Sequence, residues 1–352
     1  MYKRVNLKQN ITMKKKRIII YLLILMLLSI ANNYFARDLL ISYNNYFIKQ
    51  LIWFISGFII MFIISKLNLG FIYKYSFYLY LFGNFLLLLT LIIGKNINGA
   101  KGWLSIGPFS IQPSEFMKIF LILYLREFTL KYDLSDFKYI IFTLLIILLP
   151  SILTFLEPDT GGVIIYIIIW IVFFFLKKLN KWYYIITISF SLLSIVVFFI
   201  LYYKYPNNFI NIFGTSFFYR MDRITNFVNG EGYQIGEALK STSNSGLFGL
   251  KDKVYFPESA TDFALTLFIS NFGIVGLSFL LIIYTLFFSE LLKYNKDKYL
   301  LYSTIFILIF QYVTNILMNV SLFPIIGITL PFISYGGSSI LSYMILIGFL
   351  IT

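Results

Sequence analysis

The chain has 352 residues, 59% of them apolar and only 12% charged, about half the charged share of an ordinary soluble domain. That composition excludes a soluble enzyme. The absence of Cys and His excludes disulfides, thiolate chemistry and the usual neutral-pH general base, so proton transfer near neutrality falls to one of 15 carboxylates. The net charge of +14 is read as membrane topology rather than nucleic-acid binding, because basic residues of membrane proteins gather on cytoplasmic loops.

A helix needs roughly 20 apolar residues to cross a hydrocarbon core about 30 Å thick. The apolar stretches predict spans over 18–36, 51–65, 76–94, 114–130, 139–156, 161–176, 182–203, 262–289, 299–320 and 334–352. The expected fold class is all-α: a single polytopic membrane domain over 1–352 with about ten transmembrane helices. A basic cytoplasmic tail covers 1–17, and a large extracytoplasmic loop covers 204–261 between spans 7 and 8. No small-residue cleavage site follows the first span, so it is read as an anchor rather than a signal peptide. With the N-terminus inside, the inner segments hold 18 of the 29 Lys and Arg and the short outer segments hold four, which predicts N-in/C-in. The carboxylates sort the other way. Asp38, Glu115, Glu157, Asp159, Asp222, Glu231, Glu237, Asp252, Glu258 and Asp262 lie outside or at the outer boundary, so the chemistry faces out.

Four polar, turn-rich clusters break the apolar pattern on that face. The first runs from Asn98 through Lys101, Gly102 and Trp103 to Gln112-Pro113-Ser114-Glu115 and Lys118. Pro113 and Glu115 suit a helix N-terminus. Lys118 lies three residues after Glu115 on one helix face, inside the apolar zone, where an unpaired ammonium costs at least about 2.5 kcal/mol. A structural Glu115–Lys118 pair and a pair facing an anionic ligand are both open. The second cluster is Glu157-Pro158-Asp159-Thr160-Gly161-Gly162. Asp159 is expected first of all to form a structural salt bridge to another span, ahead of a catalytic role, and could also simply cap the next helix.

The third cluster is the long loop, with Arg220, Asp222, Arg223, then Gly230-Glu231-Gly232-Tyr233-Gln234, and a close at Pro257-Glu258-Ser259-Ala260-Thr261-Asp262-Phe263. It is the one segment long enough to form a substrate lid. Asp262 stands where the loop re-enters the membrane, either as a helix N-cap or as a partly desolvated carboxylate competent as a base. The fourth cluster holds Asn315, then Pro324, Pro331 and Ser334-Tyr335-Gly336-Gly337-Ser338-Ser339. Such backbone is tolerated at membrane depth only when protein buries it or it lines a wet cavity. It is either a packed re-entrant turn or a cradle of N–H groups for phosphate.

These clusters, in this order and over nearly the whole chain, resemble the SEDS family, the shape, elongation, division and sporulation proteins typified by RodA, FtsW and SpoVE. The resemblance rests on Asn98 to Lys118, Pro158-Asp159, Gly232-Tyr233-Gln234, Pro257-Glu258 with Thr261-Asp262-Phe263, and Leu330 to Ser339. It implies a peptidoglycan glycosyltransferase of the bacterial cytoplasmic membrane. Such an enzyme polymerises lipid II at the outer face, in cell elongation and shape or in division, with a class B penicillin-binding transpeptidase as partner. It places the catalytic base on Asp262, which takes the proton of the acceptor 4-hydroxyl.

Substrate contacts fall on Gln112, Ser114, Glu115, Lys118, Arg220, Arg223, Gln234, Glu258, Thr261, Ser334, Tyr335, Gly336, Gly337 and Ser338. Trp103, Asp159 and Pro331 are expected to be structural. Lys118, Arg220 and Arg223 are the basic residues placed to stabilise the leaving pyrophosphate. A divalent cation, Mg²⁺ or Mn²⁺, could share that task on carboxylates, water and the pyrophosphate itself; no organic cofactor is expected. The family's Glu-Glu pair is replaced by Ser270 and Asn271, the stretch from Gly246 to Pro257 is short, and Lys101-Gly102 stands where paired basic residues are common. The short N-terminal tail and the lack of a C-terminal extension lean toward a RodA-like rather than an FtsW-like member. A lipid II flippase and a non-catalytic scaffold that activates a partner polymerase are the alternatives. A flippase needs polar residues at mid-membrane reachable from both sides.

Overall fold

A helix covers each of the ten predicted apolar segments in the computed structural model of the chain. The structure describes residues 2–37, 39, 43–97, 100–107, 109–214, 217, 221, 225, 227, 233–250, 255–294 and 297–352. The helices are α1 (Tyr2–Ala36), α2 (Tyr46–Ile64), α3 (Leu69–Lys74), α4 (Ser76–Ile93), α5 (Pro113–Lys131), α6 (Asp136–Leu156), α7 (Thr160–Leu176), α8 (Lys181–Lys204), α9 (Pro206–Phe213), α10 (Tyr233–Asn244), α11 (Ala264–Leu292), α12 (Lys298–Asn319) and α13 (Gly337–Leu350). Seven helical stretches among the described residues are long and apolar enough to cross a membrane, and α7 and α13 are shorter apolar helices.

The remaining predicted span, α5, shows why charge and burial must be read together. It carries Glu115, Lys118, Arg126, Glu127 and Lys131, yet it packs against α4, α7, α12 and α13. Its charges are paired within the protein: Lys118 with Glu115, and Arg126 with Asp297, the N-cap of α12, at 2.7 Å. Enclosure by other helices makes such charges tolerable. Helix α8 is the opposite case, apolar on every side, and Tyr202 is its one buried residue.

Three departures from simple spans position the site. Residues 95–111, expected as loop, form a three-stranded antiparallel sheet of β1 (Lys95–Ile97), β2 (Ala100–Ile106) and β3 (Phe109–Ile111). It lies over helix ends: Lys101 Nζ donates to the last carbonyls of α4, Leu91 and Ile92, at 2.7 and 2.9 Å, and half-buried Trp103 pairs with Lys95. The loop 204–261 is partly helical, with α9 and α10.

The third departure is in α11, which breaks at Gly273 (φ 65°). There the turn at 246–249 docks into the gap: Ile274 and Val275 N–H donate to Gly246 and Leu247 carbonyls, and Leu250 N–H to Ser270. The turn replaces the lost helical bonds, as backbone at membrane depth requires. A Cβ at Gly273 would stand 2.2 Å from Leu247 O.

Helices α2 and α13 approach through small residues on both sides, a recurrent device where lipid supplies no hydrophobic drive. A Cβ at Gly57 would meet Met344, and one at Gly337 would lie 2.2 Å from the Trp53 ring. Gly337→Ala is therefore expected to lower the thermal midpoint in detergent through an overpacking cost of about 1–3 kcal/mol. Trp53→Leu in the same chain should restore most of it, and thermal denaturation of the single and double variants checks this.

Candidate active site

The turn 257–263 leads the chain into α11. Phe263, not Asp262, is the N-cap residue, and it makes no side-chain cap bond. Asp262 is half-buried, and its carbonyl accepts from two amides of α12, Asn315 Nδ2 at 2.9 Å and Asn319 Nδ2 at 3.1 Å. Asn319 Oδ1 accepts from the N–H and hydroxyl of Thr266, one turn into α11. Thr261 Oγ1 donates to the Glu258 carboxylate, and Ser334 Oγ donates to Thr261 O at 2.6 Å. Tyr335 N–H donates to Ala260 O, and Asn32 of α1 to Ala264 O. The residue proposed as a base thus stands on a turn fixed from three sides by hydrogen bonds.

The segment 320–336 that braces this turn is a packed re-entrant turn. Several of its N–H groups find partners inside the protein: Leu330 donates to Ser334 Oγ, Ile333 and Ser334 to Leu330 O, and Gly336 to Gln50 Oε1. Gln50 also donates to Ser334 O and Ser29 Oγ. The Tyr335 ring stacks on Tyr46 with centroids 3.9 Å apart, and the buried Pro331 carbonyl accepts from Tyr284. Gly336 and Gly337 serve this packing, the latter against Trp53.

A second polar group lies across that segment from Asp262. Lys118, 1% exposed, donates to Glu115 at 2.5 Å and sits 4.3 Å from the Tyr343 ring centroid. Glu115 also accepts from Ser342 of α13. Asp159 caps α7 through Gly162 N–H at 2.8 Å and accepts from Gln112 and Ser114 at 2.9 and 2.8 Å. It ties α5 to α7 with neutral donors, so the expected salt bridge is replaced by hydrogen bonds to the helix N-terminus that faces it. Ser338 Oγ accepts from Gln112 N–H. A cavity of about 50 Å³ opens among Gln112, Glu115, Lys118, Asp159, Gln311 and Thr329.

The predicted residues therefore fall in two clusters. Glu258, Thr261, Asp262, Ser334 and Tyr335 form one, and Gln112, Ser114, Glu115, Lys118, Asp159 and Ser338 the other. Asn315 bridges them, since its amide also donates to Ile328 O, on the cavity wall, at 2.8 Å. Gln234 lies in the first turn of α10, half-buried, with no hydrogen bond to the Asp262 turn among the described residues. Arg220 and Arg223 lie outside the described residues, as does Gly232. The positions of the missing Glu-Glu pair carry a neutral network: Ser270 Oγ lies 2.7 Å from Ser241 Oγ, and Asn271 donates to Asn32 at 2.7 Å. Sequence reading passed over Asn319, Gln50 and Gln311, lone polar residues in apolar runs. Their one signal is amide chemistry at positions that must face protein rather than lipid.

Glu157, the C-cap of α6, was read only as part of a turn. It is fully buried beneath Gly102 of β2, and neither carboxylate oxygen has a hydrogen-bond partner among the described residues. Burial, aided by the charge of Asp159, raises its pKa from the ordinary 4.5 to about 8.

Apolar helices around a turn pinned at the Asp262 carbonyl, with a buried polar cavity beside it, define a polytopic membrane protein whose polar site lies at one end of the bundle. The chain belongs to the FtsW, RodA and SpoVE family, whose model, described as cell cycle protein, matches residues 13–352. A protein of Coxiella burnetii named probable peptidoglycan glycosyltransferase FtsW is 30% identical over 86% of this chain and 85% of its own length. One of the same name from Hydrogenovibrio crunogenus is 28% identical over 87% of this chain and 80% of its own. Among solved structures, a chain of a peptidoglycan synthase complex superposes with a TM-score of 0.78 at 23% identity, each chain covered to 95%. RodA of Thermus thermophilus gives 0.67 at 23% identity, covering 95% of this chain and 94% of its own.

Because Glu157 stays protonated in the folded protein while the unfolded chain ionises, the pH-dependent part of its burial cost vanishes below about pH 4.5. The cost grows as pH rises toward 8, to the order of a few kcal/mol. Glu157→Gln should raise the thermal midpoint at pH 7.5 and leave it unchanged near pH 4, which melting curves across that range will show.

Proposed function

We propose that the chain is a peptidoglycan glycosyltransferase that polymerises lipid II, with Asp262 as general base. The observation that carries this is the Asp262 turn: a carboxylate at the mouth of α11 whose backbone is fixed by Asn315 and Asn319. The Asp262 carboxylate takes the proton of the acceptor 4-hydroxyl, and that oxygen bonds to the anomeric carbon of the donor. The bond from this carbon to the pyrophosphate breaks, inverting an α-linked sugar to a β-1,4 link. The leaving undecaprenyl pyrophosphate keeps the electron pair.

Lys118 is already paired with Glu115, and the formal charge of Glu115, Lys118 and Asp159 together is negative. We therefore assign the pyrophosphate's counter-charge chiefly to Arg220 and Arg223 of the loop, and give Lys118 a hydrogen-bonding part. Among the described residues no three acidic side chains converge to hold a metal ion. A divalent ion, Mg²⁺ or Mn²⁺, could share the charge of the pyrophosphate on carboxylates, water and the pyrophosphate itself. A class B penicillin-binding transpeptidase is the proposed partner.

Two further observations support an enzyme over a flippase. Between the Lys118 cavity and the Arg126–Asp297 pair, α5 contributes the fully buried apolar Leu121, Ile122 and Leu125. The polar groups do not continue through the bundle along that helix. From the basic residues of the short segments we read the Asp262 end as facing out of the bacterial cytoplasmic membrane, with both termini inside.

Purified protein with its partner and labelled lipid II should yield glycan chains, and Asp262→Ala and Asp262→Asn should slow polymerisation at least about 100-fold. Undiminished chains from both variants would sink the assignment. The natural absence of cysteine makes orientation direct to test. Tyr255→Cys should react with an impermeant maleimide on intact cells, and Leu67→Cys only after permeabilisation. The reverse pattern would invert the topology.

A further inference from the structure

Gln311 sits in mid-α12, 1% exposed, and lines the Lys118 cavity. Its side chain lies beside the Tyr343 hydroxyl, and its Oε1 is a buried acceptor with no hydrogen-bond partner among the described residues. An orphaned acceptor of this kind costs about 1–3 kcal/mol unless something fills it. Across the same cavity, the Lys118 ammonium donates to one carboxylate oxygen and presents its remaining face to the Tyr343 ring. An ammonium carries more N–H donors than one oxygen takes up. The cavity thus offers an unfilled acceptor on α12 and unfilled donor capacity on α5.

A guest that completes both must accept a hydrogen bond at one atom and donate one at another. The volume of about 50 Å³ is room for roughly three to five water-sized groups, too small for a sugar ring. A secondary amide fits both limits, with its carbonyl oxygen toward Lys118 and its N–H toward Gln311 Oε1. We propose that Gln311 and Lys118 form a subsite for a 2-acetamido group of the amino-sugar substrate, with Gln311 as a specificity-determining residue. This rests on the glycosyltransferase reading for the identity of the sugar. Thr329 and the first turn of α7, with Gly161 and Gly162, close the pocket around it. A Cβ at Gly161 would come within 3.2 Å of Ile326 O, so Gly161 packs directly on the opposite wall, and the volume of about 50 Å³ leaves a larger acyl group little space. A hydroxyl in place of the acetamido group would leave one side of the pocket unmet, and a buried site built for a hydrogen bond rejects the analogue that lacks it.

The test reads affinity rather than turnover, so it stands whether or not chains are made. Binding of lipid-linked disaccharide to the detergent-solubilised full chain is measured for three probes: the natural 2-acetamido compound, its 2-hydroxy analogue, and the acetamido compound without its stem peptide, whose amides share the same chemistry. Wild type should bind both acetamido probes at least about 10-fold tighter than the 2-hydroxy analogue. Gln311→Leu should lose that preference by weakening acetamido binding alone, and Gln311→Asn should keep part of it. Equal affinity of wild type for acetamido and hydroxy probes overturns the proposal and leaves the cavity to water. So does a preference that follows the stem peptide, or a Gln311→Leu loss of equal size for every probe. The wild-type comparison decides even if a variant fails to fold.

Discussion

Inside a bilayer, every backbone group that leaves a helix must be paired again within the protein. The carbonyl of Asp262 is such a group, and Asn315 and Asn319 are what pair it. The same two side chains bond Ile328 O and the start of α11 at Thr266. One face of α12 thereby sets where the loop enters the membrane, where α11 begins and where the segment 328–336 turns back. Removing Asn315 would strand Ile328 O and removing Asn319 would strand the Thr266 N–H, each leaving Asp262 O a single amide, so the site geometry and the stability of this end of the bundle rest on one set of hydrogen bonds.

The charges of α5 follow the same logic at a larger scale. Lys118 and Arg126 sit about two turns apart in one helix, each closed by an acidic partner and an aromatic face: Glu115 with Tyr343, and Asp297 with Tyr73. Between them the helix is apolar and buried. Paired charge at two depths with a dry stretch between suits a helix that anchors polar structure at each end of the bundle without joining the two ends. It also explains why α5, the least apolar of the predicted spans, is the one at the centre.

What the sequence made legible is what composition and order can carry. Ten apolar runs gave ten helices because lipid leaves few alternatives, and Asp262 stood out because a carboxylate beside Thr261 at a loop–span junction breaks a long apolar pattern. The sheet at 95–111 was hidden, since its strands are three to seven residues long and too brief for alternation to register. The break in α11 was hidden because a single Gly273 inside a long apolar run is compatible with a continuous helix, and only the docking of residues 246–249 makes it necessary. Gln311 and Asn319 were hidden for a related reason. A single amide in an apolar helix reads as tolerated until its neighbours show that it faces protein. Glu157 reads as a turn residue until β2 is seen to cover it.

The two clusters at this end of the bundle are mechanically joined. Ile328 and Thr329 wall the cavity, while Ser334 and Tyr335, a turn further on, brace Thr261 and Ala260. Asn315 spans the short distance with one amide nitrogen, donating to Ile328 O on the cavity side and to Asp262 O on the other. Filling the cavity would hold Ile328 in place, and through that shared amide would hold the Asp262 carbonyl as well. Positioning of the proposed base and occupation of a neighbouring pocket are then not independent events. A substrate that reaches both would meet a turn set more firmly by its own binding, which is where orientation contributes most to rate.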